Sequence, residues 1–214
     1  SRLMHLEEYF WYFKDALSHK FCDEVIKYGN SQREEIGYIG DITADNIKTI
    51  DPKSKKHFKK KRISNVSWLN ETWIYKEILP YVDMANKNAG WNFSLDVPEV
   101  CQFTKYKKNQ FYDWHCDSNT IPYNDKKDEQ RFGKVRKLSM TCSLTNPNDY
   151  KGGELEFDFR NQDKCGKKFF RKCTEILSKG SIVVFPSFVW HRVNPITKGT
   201  RYSLVTWNLG RPFV

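Results

Sequence analysis

A mainly β sandwich or barrel, buttressed by N-terminal α-helices, is the fold class this sequence predicts, and three observations point to it. From Val97 onward, short β-branched and aromatic runs alternate with polar, glycine or proline segments, the pattern of many short strands. Ahead of that point, two stretches carry apolar residues at helical spacing. At 214 residues the chain can bury a sizeable core, and β-rich domains of this length commonly form one unit. Residues 1–214 are therefore read as a single domain, with 1–96 as helical and strand support that also faces substrate, and 97–214 as the barrel core.

Taken in order, Ser18 followed by Phe21, Cys22, Val25 and Ile26, with Gly29 near the end, predicts a short amphipathic helix with a serine N-cap. The run Lys53, Lys55, Lys56, Lys59, Lys60, Lys61 and Arg62 lacks regular apolar spacing and reads as a solvated loop, with a binding element as the alternative. Asn70 can cap a second helix carrying Trp73, Ile74, Ile78, Val82 and Ala85, which Pro80 should kink and Gly90 should stop. Strands are predicted over 99–105, 111–117, 137–145, 154–159, 181–185 and 202–208. The charged stretch 124–137, containing Gly133, reads as an exposed connection or a lid.

Composition narrows the classes of function. Hydrophobic residues make up 39% and aromatics 15% of the chain, enough for a core. The net charge of +10, from 36 basic and 26 acidic residues, favours anionic partners without choosing among nucleic acid, acidic peptides and small carboxylates. The six cysteines contain no Cys-x-x-Cys pair and no secretory leader is recognised, which predicts reduced thiols and a cytoplasmic location. No apolar run approaches the roughly 18 residues of a membrane span, so a membrane role is not expected.

The chemistry-bearing residues are few. In Tyr112-Asp113-Trp114-His115-Cys116-Asp117-Ser118, the histidine and aspartate are two apart, so on a strand both leave the same face. An imidazole and a carboxylate suit Fe(II), and a second histidine would complete a facial set with open positions opposite. His191 follows the apolar run 181–190 and a turn at Pro186, which places it at a barrel mouth. Arg201 opens the next apolar strand, and its planar guanidinium can grip a carboxylate bidentately. Each of these residues alone has an ordinary structural explanation. Their order along the chain is the stronger signal.

That order resembles the Fe(II)/2-oxoglutarate-dependent dioxygenases, in their prolyl-hydroxylase-like branch of bacterial or phage type. The resemblance is carried by segments 102–106, 110–117, 136–139, 150–155, 179–181, 185–187, 191–193 and 198–203, and covers essentially 99–207. It implies a double-stranded β-helix, a jelly-roll-like barrel, with iron held by His115, Asp117 and His191. It also implies 2-oxoglutarate and O2 as co-substrates, succinate and CO2 as products, ascorbate as a reductant, and the distal carboxylate of 2-oxoglutarate on Arg201. Tyr106 matches a co-substrate tyrosine of related hydroxylases, with core packing as its other role. Ser143, in the alternating set Ser139, Thr141 and Ser143, is a candidate hydroxyl donor to the co-substrate, though such residues are also ordinary solvent-side positions. Trp207 shares a strand face with Arg201 and is expected on the pocket wall or in the core. Arg62, in Arg62-Ile63-Ser64, loosely matches a substrate-positioning element and is otherwise a solvated or salt-bridged arginine.

The leading expectation is hydroxylation of a peptidyl residue, foremost proline, in the cytoplasm or, for a phage-encoded chain, the host cytoplasm. A nucleic-acid demethylase would suit the charge, but that branch usually repeats an arginine six positions after the first, where this chain has Trp207. Halogenation is disfavoured because Asp117 is retained, and a non-catalytic basic binding module would have no need of all four residues.

Overall fold

The computed structural model describes residues 9–37 and 51–214. In chain order it contains β1 (Trp11–Phe13), α1 (His19–Ser31), β2 (Glu35–Ile36), α2 (Pro52–Lys61), β3 (Arg62–Ile63), β4 (Asn65–Leu69), α3 (Thr72–Asn88), β5 (Cys101–Tyr106), β6 (Phe111–His115) and β7 (Val135–Ser143). It continues through β8 (Tyr150–Gly152), β9 (Leu155–Asp158), β10 (Arg171–Lys172), β11 (Ile182–Pro186), β12 (Trp190–Val193), β13 (Ile196–Gly199) and β14 (Arg201–Gly210).

Every paired strand is antiparallel. One sheet has seven strands in the order β1-β11-β7-β14-β5-β4-β2, a second has five in the order β10-β9-β12-β6-β3, and β13 pairs with β8. Apart from β4–β5 and β9–β10, neighbours in the two large sheets are not consecutive strands, as in the jelly roll that the sequence predicts.

Two apolar layers form because successive strand residues face opposite sides. On β11, Ile182 and Val184 join Leu138, Met140, Cys142 and Leu204 beneath Val25, Ile74, Ile78 and Val82 of the helices. Its alternate residues, Val183 and Phe185, point the other way and pack with Phe157, Phe159, Val193, Ile196 and Tyr106. The helices thus cover the outer face of the large sheet, and the second cluster fills the space between the sheets.

α1 starts as predicted, with the Ser18 hydroxyl accepting from the Phe21 amide, and it runs past Gly29 to end at Ser31. α3 departs from expectation at its start. Its N-cap is Glu71, whose side chain makes no capping bond, and the Glu71 carboxylate instead accepts from the Tyr28 hydroxyl. Pro80 lies inside α3 without ending it, and Gly90 follows with φ +74°.

The lysine run is not a loop. It forms α2, whose first turn is closed by Asp51, which accepts from the amides of Lys53 and Ser54 and from the Ser54 hydroxyl. A side-chain cap of this kind substitutes for the missing apolar stripe. Of the stretch 124–137 predicted as an exposed connection, residues 124–133 are mostly exposed and 135–137 open β7; the Tyr123 hydroxyl donates to the buried Glu99 carboxylate, which also pairs with Arg131 and Arg136, and Lys134 pairs with Asp96. All six cysteines are free thiols. Among the described residues, no helix is long and apolar enough to cross a membrane.

Candidate active site

His115 is the last residue of β6, and Asp117 lies just beyond the strand rather than within it. The two stay together because the amides of Asp117 and Ser118 both donate to the Ser187 carbonyl. β12 pairs with β6 so that His191 is the Cα partner of His115. Cross-strand register therefore joins residues 76 positions apart in sequence (191 − 115).

The three side chains converge on one point. His115 Nε2 lies 3.5 Å from Asp117 Oδ1, His191 Nε2 lies 3.7 Å from Asp117 Oδ2, and the candidate ligand atoms all fall within 4.8 Å of one another. Each imidazole is oriented from behind: His115 Nδ1 is 2.7 Å from the Asp113 carbonyl and His191 Nδ1 is 3.0 Å from the Val189 carbonyl. A carbonyl can only accept, so Nδ1 carries the proton and the lone pair sits on Nε2, facing Asp117. The Ser139 hydroxyl donates to Asp117 Oδ2 at 2.7 Å and is itself 2.9 Å from the Ser187 hydroxyl.

Protonation follows from this setting. Burial, reinforced by His191, pushes the His115 imidazole down to about 4, so it is neutral at pH 7. Burial would raise the Asp117 carboxyl, but His191, His115 and Arg136 outweigh it and hold it well below the usual carboxylate range.

The donor set fits a divalent cation. Ligands at about 2.0–2.2 Å from a shared ion, at right or tetrahedral angles, lie roughly 2.8–3.6 Å apart, close to the two histidine–aspartate separations of 3.5 and 3.7 Å. Two imidazoles and one carboxylate on one side of the ion are the set suited to Fe(II), with positions left open opposite.

A cavity of about 270 Å³ adjoins this cluster. From β14, Arg201, Ser203, Val205 and Trp207 line it, and from β5, Gln102, Thr104 and Tyr106, each set at the period of two that a strand face requires. Arg201 is only 3% exposed and forms no salt bridge among the described residues. It pairs in register with Tyr106, and its guanidinium carbon is 5.8 Å from the Tyr106 ring centre. A buried cation without a carboxylate partner calls for an anion.

The remaining candidates separate. Tyr106 lines the cavity, and burial raises its phenol. Trp207 also lines it, and its buried indole N–H has no hydrogen-bond partner. Arg62 is not solvated: it is buried at the start of β3, donates to the Ser64 hydroxyl and to Gln102 Oε1, and lies 4.4 Å from the centre of the Tyr112 ring on the cavity wall. Ser143 faces inward with Ser139 and Thr141 and is buried, which rules out the solvent-side alternative, but it does not line the cavity; Thr141 does.

Arg136 is the site residue that strand periodicity misplaces. Leu138, Met140 and Cys142 face the helices, so simple alternation would send Arg136 outward with them. The register between β7 and β14 shifts between Asn208 and Leu209, so that Leu138 pairs with Asn208 but Arg136 with Leu209. The bulge turns Arg136 into the cavity, where its guanidinium carbon sits 3.9 Å from the Trp207 ring centre and its Nε donates to Glu99.

The model of the 2OG-Fe(II) oxygenase superfamily matches residues 101–208. The chain belongs to this superfamily. The oxygenase is 37% identical over 117 residues to a PKHD-type hydroxylase of Psychrobacter sp. (strain PRwf-1), covering 53% of this chain and 40% of that protein. It is 28% identical over 189 residues to a PKHD-type hydroxylase of Prochlorococcus marinus (strain MIT 9515), covering 86% and 71%. The match to the first curated relatives thus spans half of their length or less. In fold, it is similar to the viral collagen prolyl hydroxylase of Paramecium bursaria Chlorella virus-1, with TM-score 0.59 and 17% identity over 94% of this chain and 96% of that one. A Pseudomonas putida prolyl-4-hydroxylase gives TM-score 0.59 and 18% identity over 96% and 94%. The fold of the oxygenase is thus shared with prolyl hydroxylases.

Proposed function

We propose that this oxygenase hydroxylates a peptidyl residue, foremost proline, using Fe(II), 2-oxoglutarate and O2, with ascorbate keeping the metal reduced. The single observation that carries the reading is the placing of two imidazole nitrogens and one carboxylate beside a cavity that is also lined by the buried Arg201, which has no salt bridge among the described residues. A trihedral donor set and a separate anion site in one cavity are what a metal-chelating dicarboxylate requires. The names of the similar proteins, PKHD-type and prolyl hydroxylases, support the choice of proline. A structurally similar prolyl hydroxylase of Trichoplax adhaerens was solved with a peptide fragment bound, which supports a polypeptide substrate.

His115, Asp117 and His191 would hold the iron, which supplies oxygen activation coupled to oxidative decarboxylation of 2-oxoglutarate. The chain's own residues do the rest. The carbonyls of Asp113 and Val189 keep the protons on Nδ1 of both histidines, so no proton competes at Nε2. Ser139 donates to Asp117 and fixes its orientation. Arg201 anchors the distal carboxylate of the co-substrate, with Tyr106 beside it. Trp207, Tyr112 and Leu155 supply apolar wall that limits water in the cavity. Trp207, held by Arg136, offers a ring face on which a prolyl ring can pack. The second arginine expected of a nucleic-acid demethylase is absent at Trp207, which favours the polypeptide reading.

Anaerobic addition of Fe(II) and 2-oxoglutarate should give a metal-to-ligand charge-transfer band. Under air with ascorbate and an unbiased library of proline-containing peptides, mass spectrometry should show gain of one oxygen atom on proline with stoichiometric succinate. A charge-transfer band with succinate but no peptide oxidation would overturn the prolyl assignment, and absence of the band would overturn the oxygenase mechanism.

A further inference from the structure

We infer that α2 is a docking surface for an acidic stretch of the polypeptide substrate, lying next to the residue that enters the cavity. The inference rests on the polypeptide reading above and adds the chemistry of the flanking sequence.

The observations concern cost and position. α2 carries Lys53, Lys55, Lys56, Lys59, Lys60 and Lys61 in ten residues, with no acidic residue of its own. Lys55 and Lys59, and Lys56 and Lys60, stand four apart on one helix, where like charges destabilise by roughly 0.2–0.5 kcal/mol per pair. Among the described residues only Lys61 of these six has a salt bridge, 3.6 Å to Asp113, while Lys53, Lys56, Lys59 and Lys60 are exposed. Asp51 at the start and the lysines of the last turn suit the helix dipole, but the like-charged pairs oppose the helix, and a bound polyanion would relieve their repulsion.

The helix is also aimed at the site. It runs directly into Arg62 on the cavity wall. Arg62 pairs in register with Tyr112, so in this antiparallel arrangement the preceding residues lie beside the end of β6 that carries His115. The Lys61 contact falls on Asp113, two residues from His115. A peptide whose target side chain reaches the cavity therefore passes the lysine face within a few residues.

An acidic polypeptide fits better than nucleic acid. α2 offers lysine ammoniums, mobile point charges suited to glutamate and aspartate runs, and no arginine forks for bidentate phosphate contacts. The cavity it borders holds Arg62, Arg136 and Arg201 beside the rings of Tyr106, Tyr112 and Trp207, but Arg136 is paired with Glu99 and Arg62 with Ser64 and Gln102, so these two are already engaged.

The test uses the full chain with Fe(II) and 2-oxoglutarate under argon. The probes are a fluorescent peptide with a central proline and a run of glutamates on one side, and its counterpart with glutamines. Fluorescence anisotropy should show the acidic peptide binding at least about tenfold tighter at low salt, with the advantage shrinking as salt rises. The variant K53Q/K55Q/K56Q/K59Q/K60Q should lose this preference, since glutamine keeps helix propensity close to that of lysine. K20Q/K27Q/K76Q/K87Q, which removes exposed charge from the helices on the far side of the large sheet, should keep it. If the larger α2 variant does not fold, K56Q/K60Q should show a partial loss. Equal binding of the two peptides, or equal loss in the α2 and remote variants, would overturn the proposal. So would an oligonucleotide that binds more tightly than the acidic peptide and depends on the same lysines. The charge-transfer band reports independently on the metal and co-substrate site, so loss of docking with an intact band leaves the oxygenase reading standing.

Discussion

His115 and His191 are Cα partners across the β6–β12 ladder, and their ring centroids lie 4.2 Å apart. Because strand side chains alternate, a slip of one residue in this pairing would turn His191 out of the cavity. The register is held from the other side by β9, where His191 pairs with Phe157, and from above by Phe185, whose ring meets His191 edge-on at 4.8 Å. The relation between the two imidazoles is therefore a property of the sheet and its packing, and the carboxylate of Asp117 is brought to it by the Ser187 carbonyl.

Replacing the ligands should separate from replacing their support. His115→Ala, Asp117→Ala or His191→Ala is expected to remove the charge-transfer band and lower turnover by more than about 100-fold. Changes to residues that only orient ligands typically cost about 10–100-fold, so Ser139→Ala should fall in that lower range. Isothermal titration with Fe(II) checks the order, and Ser139→Ala losing as much affinity as Asp117→Ala would contradict it.

Arg201 should act on one co-substrate. Arg201→Ala is expected to weaken 2-oxoglutarate binding by about 2–5 kcal/mol, the usual cost of truncating a buried charge partner, while leaving Fe(II) affinity unchanged. In steady-state assays this appears as a raised KM for 2-oxoglutarate, with kcat falling far less at saturation. Arg201→Lys should recover only part of the loss, because a single ammonium cannot make the bidentate contact.

Much of this site can be read from the chain because its logic is local. His115 and Asp117 are two residues apart, His191 follows an apolar strand and a proline, and Arg201 opens the apolar strand β14, so motif order and strand alternation suffice. The predicted strands fall on β5, β6, β7, β9, β11 and β14 within a few residues. What escapes is decided by contacts between distant segments. The bulge that turns Arg136 inward depends on β14. The hydroxyls of Ser139 and Ser187 meet behind Asp117 only after β7 and β11 pair. α2 lacks an apolar stripe and is held at its start by Asp51, a signal that charge composition hides. The indole of Trp68 reaches the cavity from β4, whose place beside β5 is set by long-range pairing.

The depressed imidazole sets a pH dependence for the metal-free protein. Unfolded, His115 takes up a proton near 6.5, whereas in the fold it does so only near about 4. Between those values the unfolded chain binds more protons, so stability is fully present above about 6.5, falls as the pH drops, and levels off below about 4. The loss attributable to this residue is at most about 3–4 kcal/mol, over the interval from 6.5 to about 4 at 1.36 kcal/mol per pH unit. Urea midpoints of the apoprotein from pH 7.5 to 4.5 should decline, and His115→Asn should flatten the decline. An equally steep profile in the variant would show that other groups carry the dependence.

Gly153 links backbone geometry to Arg201, the proposed anchor of the co-substrate. Its φ of +68° is in the left-handed region, and a Cβ there would lie 2.3 Å from Ile196 Cδ1 and 3.2 Å from Arg201 Cδ. Gly153→Ala therefore adds two effects: the left-handed conformation costs roughly 1–2 kcal/mol for a residue with a side chain, and the new methyl presses on a buried isoleucine and on the stem of Arg201. Gly90 has φ +74° with nothing within 4 Å of a built Cβ, so Gly90→Ala incurs the first cost alone. Both variants should lose stability in thermal unfolding, Gly153→Ala by the larger amount. Only Gly153→Ala should also raise the Kd for 2-oxoglutarate, because displacing Arg201 by a few tenths of an ångström disturbs a bidentate contact that tolerates little misalignment. If the two alanine variants bind 2-oxoglutarate equally well, the stem of Arg201 is free to adjust, and the double glycine before β9 serves the turn alone.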